Sequence, residues 1–210
     1  MNASTRFESE WVPITSLNFE RAAFGISKMN DGSVFVSQGF KSPGVEWLTS
    51  ELYKDGIWTD VLHYIDRSLS RALFGQYTNS TNGDVFAVGG ISYDNTRKPN
   101  TIKYDSISKR WTAVSDVPQL GSTRSAHCLA VLQNGSVVVI GGQTVSTSTL
   151  DSGEIWDAGD VSWRPIASMD RQRAHFCTGV LQDGKVIVVG GNNSAGTMSS
   201  VHLWYPEQNK

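Results

Sequence analysis

The sequence repeats itself with a period of about 50 residues, and this periodicity constrains the fold more than any single motif. Each repeat begins with an arginine, continues through two apolar runs separated by a turn, and reaches a glycine pair; an aromatic residue and a tryptophan follow. The repeat arginines are Arg21, Arg71, Arg124 and Arg173, at spacings of 50, 53 and 49 residues. A period of this length indicates a propeller or a solenoid.

Three further registers move with the arginines. The second glycine of each pair follows its arginine by 18 or 19 residues, and an aromatic residue follows that glycine by 13 or 14. The glycine pairs are Gln38-Gly39 (a degenerate copy), Gly89-Gly90, Gly141-Gly142 and Gly190-Gly191, the aromatic residues are Tyr53, Tyr104, Trp156 and Trp204, and the tryptophans are Trp58, Trp111 and Trp163. Four concerted copies predict four equivalent structural units.

Turn signals divide each repeat into strands. Repeats three and four have Asn134-Gly135 and Asp183-Gly184 between their apolar runs, and repeat one has Asn30-Asp31-Gly32. Repeat two has a longer turn, from Asn79 to Asp84. Such turns favour β-hairpins, and no helical period competes with them. Each repeat therefore predicts four antiparallel strands: a after the arginine, b ending at the glycines, c with the aromatic residue, and d led by the tryptophan.

The last repeat has strands a, b and c, and a matching fourth strand is found at the start of the sequence. Trp11 to Ile14 reads W-V-P-I, and Trp163 to Ile166 reads W-R-P-I. We predict an all-β fold, a four-bladed β-propeller closed by the N-terminal strand around Trp11, which completes the C-terminal blade. It forms one domain over residues 1–210, with repeats at about 15–61, 62–114, 115–166, and 167–210 plus 11–14. The alternative is a segment of a ring of roughly six or seven blades.

Three of these features together resemble the kelch repeat. They are the glycine pair after a β-branched strand, the aromatic residue followed by aspartate at Tyr104-Asp105 and Trp156-Asp157, and the tryptophan seven residues later. Repeat one departs from the pattern at Gln38 and at Tyr53-Lys54. The resemblance implies a kelch-type propeller of the galactose oxidase and kelch-like class, with blades of four strands. Such a fold often serves as a protein-interaction platform and sometimes as an enzyme scaffold.

Composition bounds the partners. The formal net charge of -2 gives no reason to expect binding to nucleic acid or to an anionic membrane. No apolar stretch approaches the length of a membrane span, and no signal core begins the sequence, so we expect a soluble, cytoplasmic protein. Cys128 and Cys177 both stand four residues after a repeat arginine. Equivalent positions of neighbouring blades favour two small buried thiols over a disulfide.

Strand direction predicts where a ligand would bind. The b-c and d-a loops share one face of the propeller, which we call the loop face, and the repeat arginines begin strand a on that face. The four arginines are expected to form a ring at the channel mouth, where they would bind an anionic or acidic ligand. The alternative is structural: each arginine donates to loop carbonyls or pairs with an acid of a d-a loop. The candidate acids are Glu20, Asp66, Asp116 and Asp170.

Breaks in the repeat supply the remaining candidates. His127 stands where the other repeats have Phe24, Phe74 and Phe176, and His175 stands where they have Ala23, Leu73 and Ala126. Either histidine is a core residue or a functional one, and His127 is the candidate acid or base. Phe40, Trp47 and Tyr93 lie in b-c loops, where they either stack on a ligand or pack across the loops.

These candidates support hypotheses of three classes. The first is a binding module that recognises an acidic peptide or protein segment on the loop face. The second is a small-molecule enzyme or binder that uses an axial pocket for an anionic or polar molecule, with His127 or Tyr93 as acid or base. The third is a structural or oligomerising set of blades. We expect no cofactor and no metal, because the four histidines show no ligand spacing.

Overall fold

The computed structural model describes residues 11–42, 45–46, 48–61, 65–144 and 148–206. These residues form short strands and one 3-10 helix, η1, at Arg67–Leu69. Among the described residues, no helix is long and apolar enough to cross a membrane. The strands are β1 Gly25–Lys28, β2 Val34–Ser37, β3 Phe40–Ser42, β4 Val45–Glu46, β5 Ser50–Lys54, β6 Ile57–Val61, β7 Gly75–Thr78, β8 Val85–Val88, β9 Thr101–Asp105, β10 Arg110–Ala113, β11 Cys128–Val131, β12 Val137–Ile140, β13 Gly153–Trp156, β14 Arg164–Ile166, β15 Cys177–Val180, β16 Val186–Val189, β17 Asn192–Asn193, β18 Gly196–Thr197 and β19 Val201–Trp204.

The large sheets are the four blades of a β-propeller. Blades 1 to 3 are antiparallel four-stranded sheets in the orders β1-β2-β5-β6, β7-β8-β9-β10 and β11-β12-β13-β14. Blade 4 has the order β15-β16-β19, and the pairs β3-β4 and β17-β18 are small hairpins in b-c loops. The innermost strands β1, β7, β11 and β15 lie side by side in chain order. The predicted all-β, four-bladed propeller is therefore confirmed.

Backbone hydrogen bonds join successive blades at the start of strand a. Ala23, Leu73, Ala126 and His175 all have a left-handed backbone, with φ between 52° and 54°. The Leu73 amide donates to the Ala23 carbonyl (2.9 Å), the Ala126 amide to Leu73 (2.8 Å), and the His175 amide to Ala126 (3.0 Å). This ladder runs from blade 1 to blade 4 and fixes how neighbouring blades sit together.

The glycine pairs are required by close approach of the next blade. The second glycine donates its amide to the carbonyl of the following repeat arginine, as from Gly90 to Arg124 at 2.8 Å. A Cβ on Gly89 would lie only 2.8 Å from that same carbonyl. In blade 1, Gln38 takes the first position with φ 58°, and its side-chain oxygen accepts from the Arg71 amide at 2.8 Å. The departure in repeat one is thus compensated by a side-chain hydrogen bond to blade 2.

The hydrophobic core lies between the blades rather than within them. One cluster joins blades 1 and 2, a second joins blades 2 and 3, and a third joins blades 3 and 4. In each cluster the aromatic residue of strand c faces the preceding blade. The strand-d tryptophan packs beside it, as in Tyr104 with Trp111 (ring centroids 5.6 Å apart) and Trp156 with Trp163 (6.3 Å). The apolar side chains on each face of a blade are therefore buried only where a neighbouring blade covers that face.

The predicted closure of the ring by the N-terminal strand is not confirmed. Residues 11–17 form no strand, and the Trp11 side chain is 100% exposed. Blade 4 accordingly has three strands among the described residues, where the other blades have four. Instead, the segment lies against blade 1, where the Thr15 hydroxyl donates to the Gly56 carbonyl at 2.8 Å.

Candidate functional site

The repeat arginines hold strands b and c of their own blades together on the loop face. In each case Nη1 donates to two carbonyls, one where strand b ends and one where strand c begins. In blade 3, Arg124 reaches the carbonyls of Gly141 (2.9 Å) and Ser152 (3.1 Å). The equivalent carbonyls are those of Gln38 and Thr49 for Arg21, Gly89 and Asn100 for Arg71, and Gly190 and Ser200 for Arg173. We call this arrangement the arginine clamp.

Two of the four clamps contain a glutamate of strand c that sequence reasoning missed. The Arg124 Nη2 lies 2.6 Å from the Glu154 Oε1, and the Arg21 Nη2 lies 2.7 Å from the Glu51 Oε1. The second carboxylate oxygen accepts a d-a loop amide, that of Gly121 in blade 3 (2.6 Å). The signal was present in the sequence, because each glutamate follows its arginine by 30 residues. Each glutamate also precedes the strand-c aromatic residue by two positions.

Blade 4 replaces that glutamate with a histidine. The Arg173 Nη2 lies 2.8 Å from the His202 Nδ1, and the His202 Nε2 lies 2.8 Å from the Asp170 Oδ1. A guanidinium can only donate, so Nδ1 is the acceptor and Nε2 carries the proton given to Asp170. Asp170 precedes its arginine by three residues, as Gly121 does in blade 3. In both blades the repeat arginine, a strand-c residue and a d-a loop residue are therefore connected. The strand-c residue is a glutamate in blade 3 and a histidine in blade 4.

The clamps place the guanidinium groups inside the blades. The side chains of Arg71, Arg124 and Arg173 are fully buried, and burial lowers the pKa of all three. The carbonyl contacts are those of the structural alternative, although the ion pairs use Glu51 and Glu154 rather than acids of the d-a loops. Asp170, an acid of a d-a loop, acts at the blade 4 clamp through His202. A ligand role for the four arginines stays a prediction that these contacts do not require.

His127 occupies the aromatic position between blades 2 and 3. A Cβ on Gly89 would lie 2.9 Å from the His127 Cε1, and a Cβ on Gly141 would lie 2.8 Å from the Phe176 Cε1. His127 thus fills the space that phenylalanine fills in blade 4. Neither ring nitrogen makes a hydrogen bond of standard geometry in the described structure, although the ring approaches the backbone of Val88. Burial and the nearby Arg124 charge lower the pKa of His127 to about 3, so the ring is neutral at physiological pH.

Tyr93 differs from the clamp residues because it is presented to solvent. It lies in the b-c loop of blade 2, and its side chain is 50% exposed. The Arg67 guanidinium carbon lies 4.7 Å from the centre of the tyrosine ring, a cation-π contact. Arg67 begins η1 in the preceding d-a loop, so two adjacent loops meet here. We call Tyr93 and Arg67 the loop-face ledge.

The acids next to the ledge are occupied by their own loops. Asp66 accepts the Ser68 amide at 2.8 Å, and this bond lowers the pKa of Asp66. Asp94 accepts the Ser92 hydroxyl and the Thr96 amide, which lower the pKa of Asp94 to about 2. Both carboxylates are therefore ionised and serve as local caps. The arginine and the tyrosine ring, by contrast, present a cation and an aromatic surface to solvent.

The remaining sequence candidates do not join the ledge. The backbone of Phe40 exchanges hydrogen bonds with Ala22, at 2.8 and 2.9 Å, at the edge of blade 1. His175 is exposed at the start of strand a in blade 4. Among the described side chains, no hydrogen bond or ion pair joins His127 to Tyr93, so the two proposed acid-base groups are not brought together. Trp47 lies outside the described residues.

Three cavities lie elsewhere on the molecule. The first, of about 280 Å³, lies between residues 166–170 and 202–205, and the others, of about 380 and 320 Å³, lie at the a-b turns on the opposite face. None of these three is lined by a repeat arginine. In the part of the chain that the structure describes, no group of three or more metal-ligating side chains comes together.

Comparison with known proteins agrees with this geometry. A family model for the Kelch motif matches residues 124–170. The third repeat is similar to the Kelch motif. This match and the propeller fold confirm the resemblance to kelch propellers that the glycine pairs and aromatic residues carry. A search of curated protein sequences found no match.

A solved structure shares the propeller fold. The chain titled "Structure of YjhT" aligns with a TM-score of 0.77 and 13% sequence identity, over 96% of this chain and 73% of that one. At this identity the likeness shows the fold alone. It is one of 288 matching chains, and so widespread a fold does not select a function by itself.

Proposed function

We propose that this kelch propeller is a binding module that takes an acidic peptide or protein segment on its loop face, at the ledge of Tyr93 and Arg67. Kelch propellers generally bind proteins. The observation that supports an acidic ligand at this site is the half-exposed Tyr93 ring with the Arg67 guanidinium stacked over it, on a rigid scaffold. Tyrosine and arginine are, with tryptophan, the side chains enriched among residues that dominate binding energy at protein interfaces.

Within the ledge, Arg67 is the group that would pair with an acidic ligand. Asp66 and Asp94 are held by amide and hydroxyl donors of their own loops. The Arg67 guanidinium keeps donors that can bind a carboxylate in a bidentate manner while its face stays on the Tyr93 ring. An apolar or aromatic side chain next to the acid would pack on the exposed part of the tyrosine. The ligand is therefore a segment that combines carboxylates with apolar residues.

Selection from a phage-displayed library of random peptides tests this proposal. We expect the wild-type protein to enrich peptides rich in aspartate and glutamate. Tyr93→Ala and Arg67→Ala should each lower the affinity for the selected peptides by roughly tenfold or more, because each removes one half of an interface hot spot. Binding should also weaken as salt is raised.

The opposite face supplies a matched control. Lys185 Nζ lies 5.2 Å from the centre of the Tyr205 ring, so this pair has the same cation-π chemistry at an a-b turn. Lys185→Ala and Tyr205→Ala should leave peptide affinity unchanged. Selected peptides without acidic character, or equal losses in both pairs of variants, would contradict the proposed site.

A further inference from the structure

The outer edge of blade 4 is open. In blade 3, strand β13 pairs with β12 on one side and with β14 on the other. The equivalent strand of blade 4, β19, pairs with β16, and no strand in the described residues pairs with its other edge. A row of unpaired backbone donors and acceptors is a template for addition of another strand.

The flank of blade 4 that faces away from blade 3 is also uncovered. Val189 is 43% exposed, whereas its counterpart Ile140 in blade 3 is 3% exposed because blade 4 covers it. Val201 and Leu203 are exposed on the same blade. These apolar side chains match the ones that adjoining blades bury elsewhere in the molecule, so the flank has the character of an interior blade interface.

A cavity lies beside this edge where blade 3 has a tryptophan. Trp163 opens strand d of blade 3, packs on Trp156, and donates its indole N–H to the Pro118 carbonyl of the preceding d-a loop at 2.9 Å. In blade 4 the corresponding walls are Trp204 and the d-a loop from Ile166 to Asp170. Between them is the cavity of about 280 Å³. It has the position that a strand-d tryptophan of blade 4 would take.

One segment of this chain has the sequence of the missing strand. Trp11 to Arg21 matches Trp163 to Arg173 in the W-x-P-I start and in the ten-residue distance from tryptophan to arginine. Pro165 is paired opposite Glu154, and the same register places Pro13 opposite His202. Proline is tolerated there because an outer strand needs no amide on its free side.

We propose that a second copy of this chain docks on blade 4 and supplies its Trp11–Ile14 segment as the fourth strand. Trp11 of that copy enters the cavity beside Trp204, and its blade 1 covers the apolar flank around Val189. The linker from Trp11 to Arg21 has the length that joins strand d of blade 3 to strand a of blade 4, so this placement repeats an interface already present in the molecule. Ile26, exposed on blade 1, would meet the flank.

The occupant is a second copy because the segment is held away from blade 4 within one copy. Within one copy the Trp11 side chain is fully exposed, and the Thr15 hydroxyl donates to the Gly56 carbonyl at the β5-β6 turn of blade 1 (2.8 Å). The ladder of Ala23, Leu73, Ala126 and His175 joins blades 1 to 4 in order. No equivalent bond between blade 4 and blade 1 is seen in the described residues.

Sedimentation of the wild-type protein over a range of concentrations tests the proposal without any variant. We expect a reversible monomer-dimer equilibrium. Trp11→Ala with Ile14→Ala should weaken the dimer by roughly tenfold or more, since both side chains become buried on docking. Val12→Ala is the matched control, because its counterpart Arg164 is exposed in blade 3. A protein that stays monomeric at every concentration would overturn the proposal.

Directed cross-linking distinguishes a second copy from the same copy. The register of β13 with β14 predicts that position 12 lies opposite position 203. In a Cys128→Ser/Cys177→Ser background, chains with Val12→Cys and chains with Leu203→Cys should form a mixed disulfide dimer when combined. A chain with both cysteines that closes only on itself, or mixed chains that do not cross-link, would each refute docking by a second copy.

Discussion

Blades 3 and 4 carry equivalent residues at equivalent positions, but one is enclosed and the other is open. Blade 3 has four strands and neighbours on both sides, whereas blade 4 has three strands and one neighbour in the described structure. Ile140 and Val189 occupy the same position, and only Ile140 is buried. The difference teaches that the sequence repeat is not the unit of burial in this molecule. Each blade completes its core with side chains of its neighbours.

The arginine clamps of blades 3 and 4 also differ, in the side chain that each arginine contacts on strand c. Arg124 is paired with the carboxylate of Glu154 in an interior that excludes water, while Arg173 contacts the His202 ring, which in turn contacts Asp170. An ion pair of this kind balances a large desolvation cost, so losing one partner is more harmful than losing a neutral contact.

The largest expected effect comes from removing these arginines. Arg124→Ala should lower the free energy of unfolding by about 3 to 5 kcal/mol, because it leaves Glu154 as an unpaired buried charge. Arg173→Ala should cost about 1 to 3 kcal/mol, because it leaves the Gly190 and Ser200 carbonyls and the His202 ring without their donor. Urea unfolding of both variants measures the difference. The double variant Arg124→Ala/Glu154→Ala should recover part of the loss, and equal losses from the two arginines would break the comparison.

An intermediate effect is expected from His127, whose counterpart in blade 4 is Phe176. Its pKa is lowered to about 3, while the unfolded chain takes up the proton near the ordinary value of 6.5. Between these values the unfolded state binds more protons, so stability falls as the pH drops from about 6.5 toward 3. His127→Phe should remove that loss, up to about 3 kcal/mol near pH 4.

Thermal unfolding followed across this pH range checks the prediction. The variant should show a shallower decline than the wild-type protein below about pH 6.5. At neutral pH it should also be at least as stable, because two buried ring nitrogens without a hydrogen bond of standard geometry are removed. Parallel pH profiles for the two proteins would show that the ring is not held neutral between the blades.

The smallest effect concerns the two cysteines, which occupy the same position in blades 3 and 4. Cys128 is covered by blade 4, its Sγ lies 2.7 Å from the Phe176 carbonyl oxygen, and burial raises the pKa of its thiol to about 12. Cys177 is exposed on the open flank. Cys177 should therefore react with a thiol reagent more than about tenfold faster than Cys128. Peptide mapping of the labelled protein at low concentration decides this, and equal rates would mean that both flanks are covered.

The same labelling sharpens the docking proposal. As the protein concentration rises, a second copy on the flank should slow the reaction of Cys177 and leave Cys128 unchanged. The Trp11→Ala/Ile14→Ala protein supplies the reference, since its Cys177 should react at the same rate at every concentration.

Much of the fold was predictable because it depends on local signals. Turn residues such as Asn134-Gly135 and the spacing from Arg124 to Gly142 specify strands that pair with their sequence neighbours, so the four blades followed from the repeat. The side chains that complete the arginine clamps were harder to predict from the sequence. Glu51 and Glu154 meet their arginines through packing of three strands, and the sequence records this only as a recurring offset.

Two other features could not be predicted from the sequence. The ledge depends on Arg67 and Tyr93 lying in loops from successive blades, and nothing in their spacing indicates a stacked pair. The match of Trp11–Ile14 to a fourth strand was readable, but closure depends on whether blade 4 reaches blade 1. That distance is set by the angle between blades, which accumulates around the ring from the packing at every interface.

Amide hydrogen exchange of β19, residues Val201–Trp204, compared with β13, residues Gly153–Trp156, tests the open edge of blade 4 most directly. At the lowest measurable protein concentration, the outward amides of β19 should exchange much faster than those of β13, because β13 is paired on both sides and β19 on one. The protection of β19 should rise with concentration as a second copy adds its strand. Equal protection of the two strands in the dilute protein would contradict the account, since it would mean that a single copy already completes blade 4.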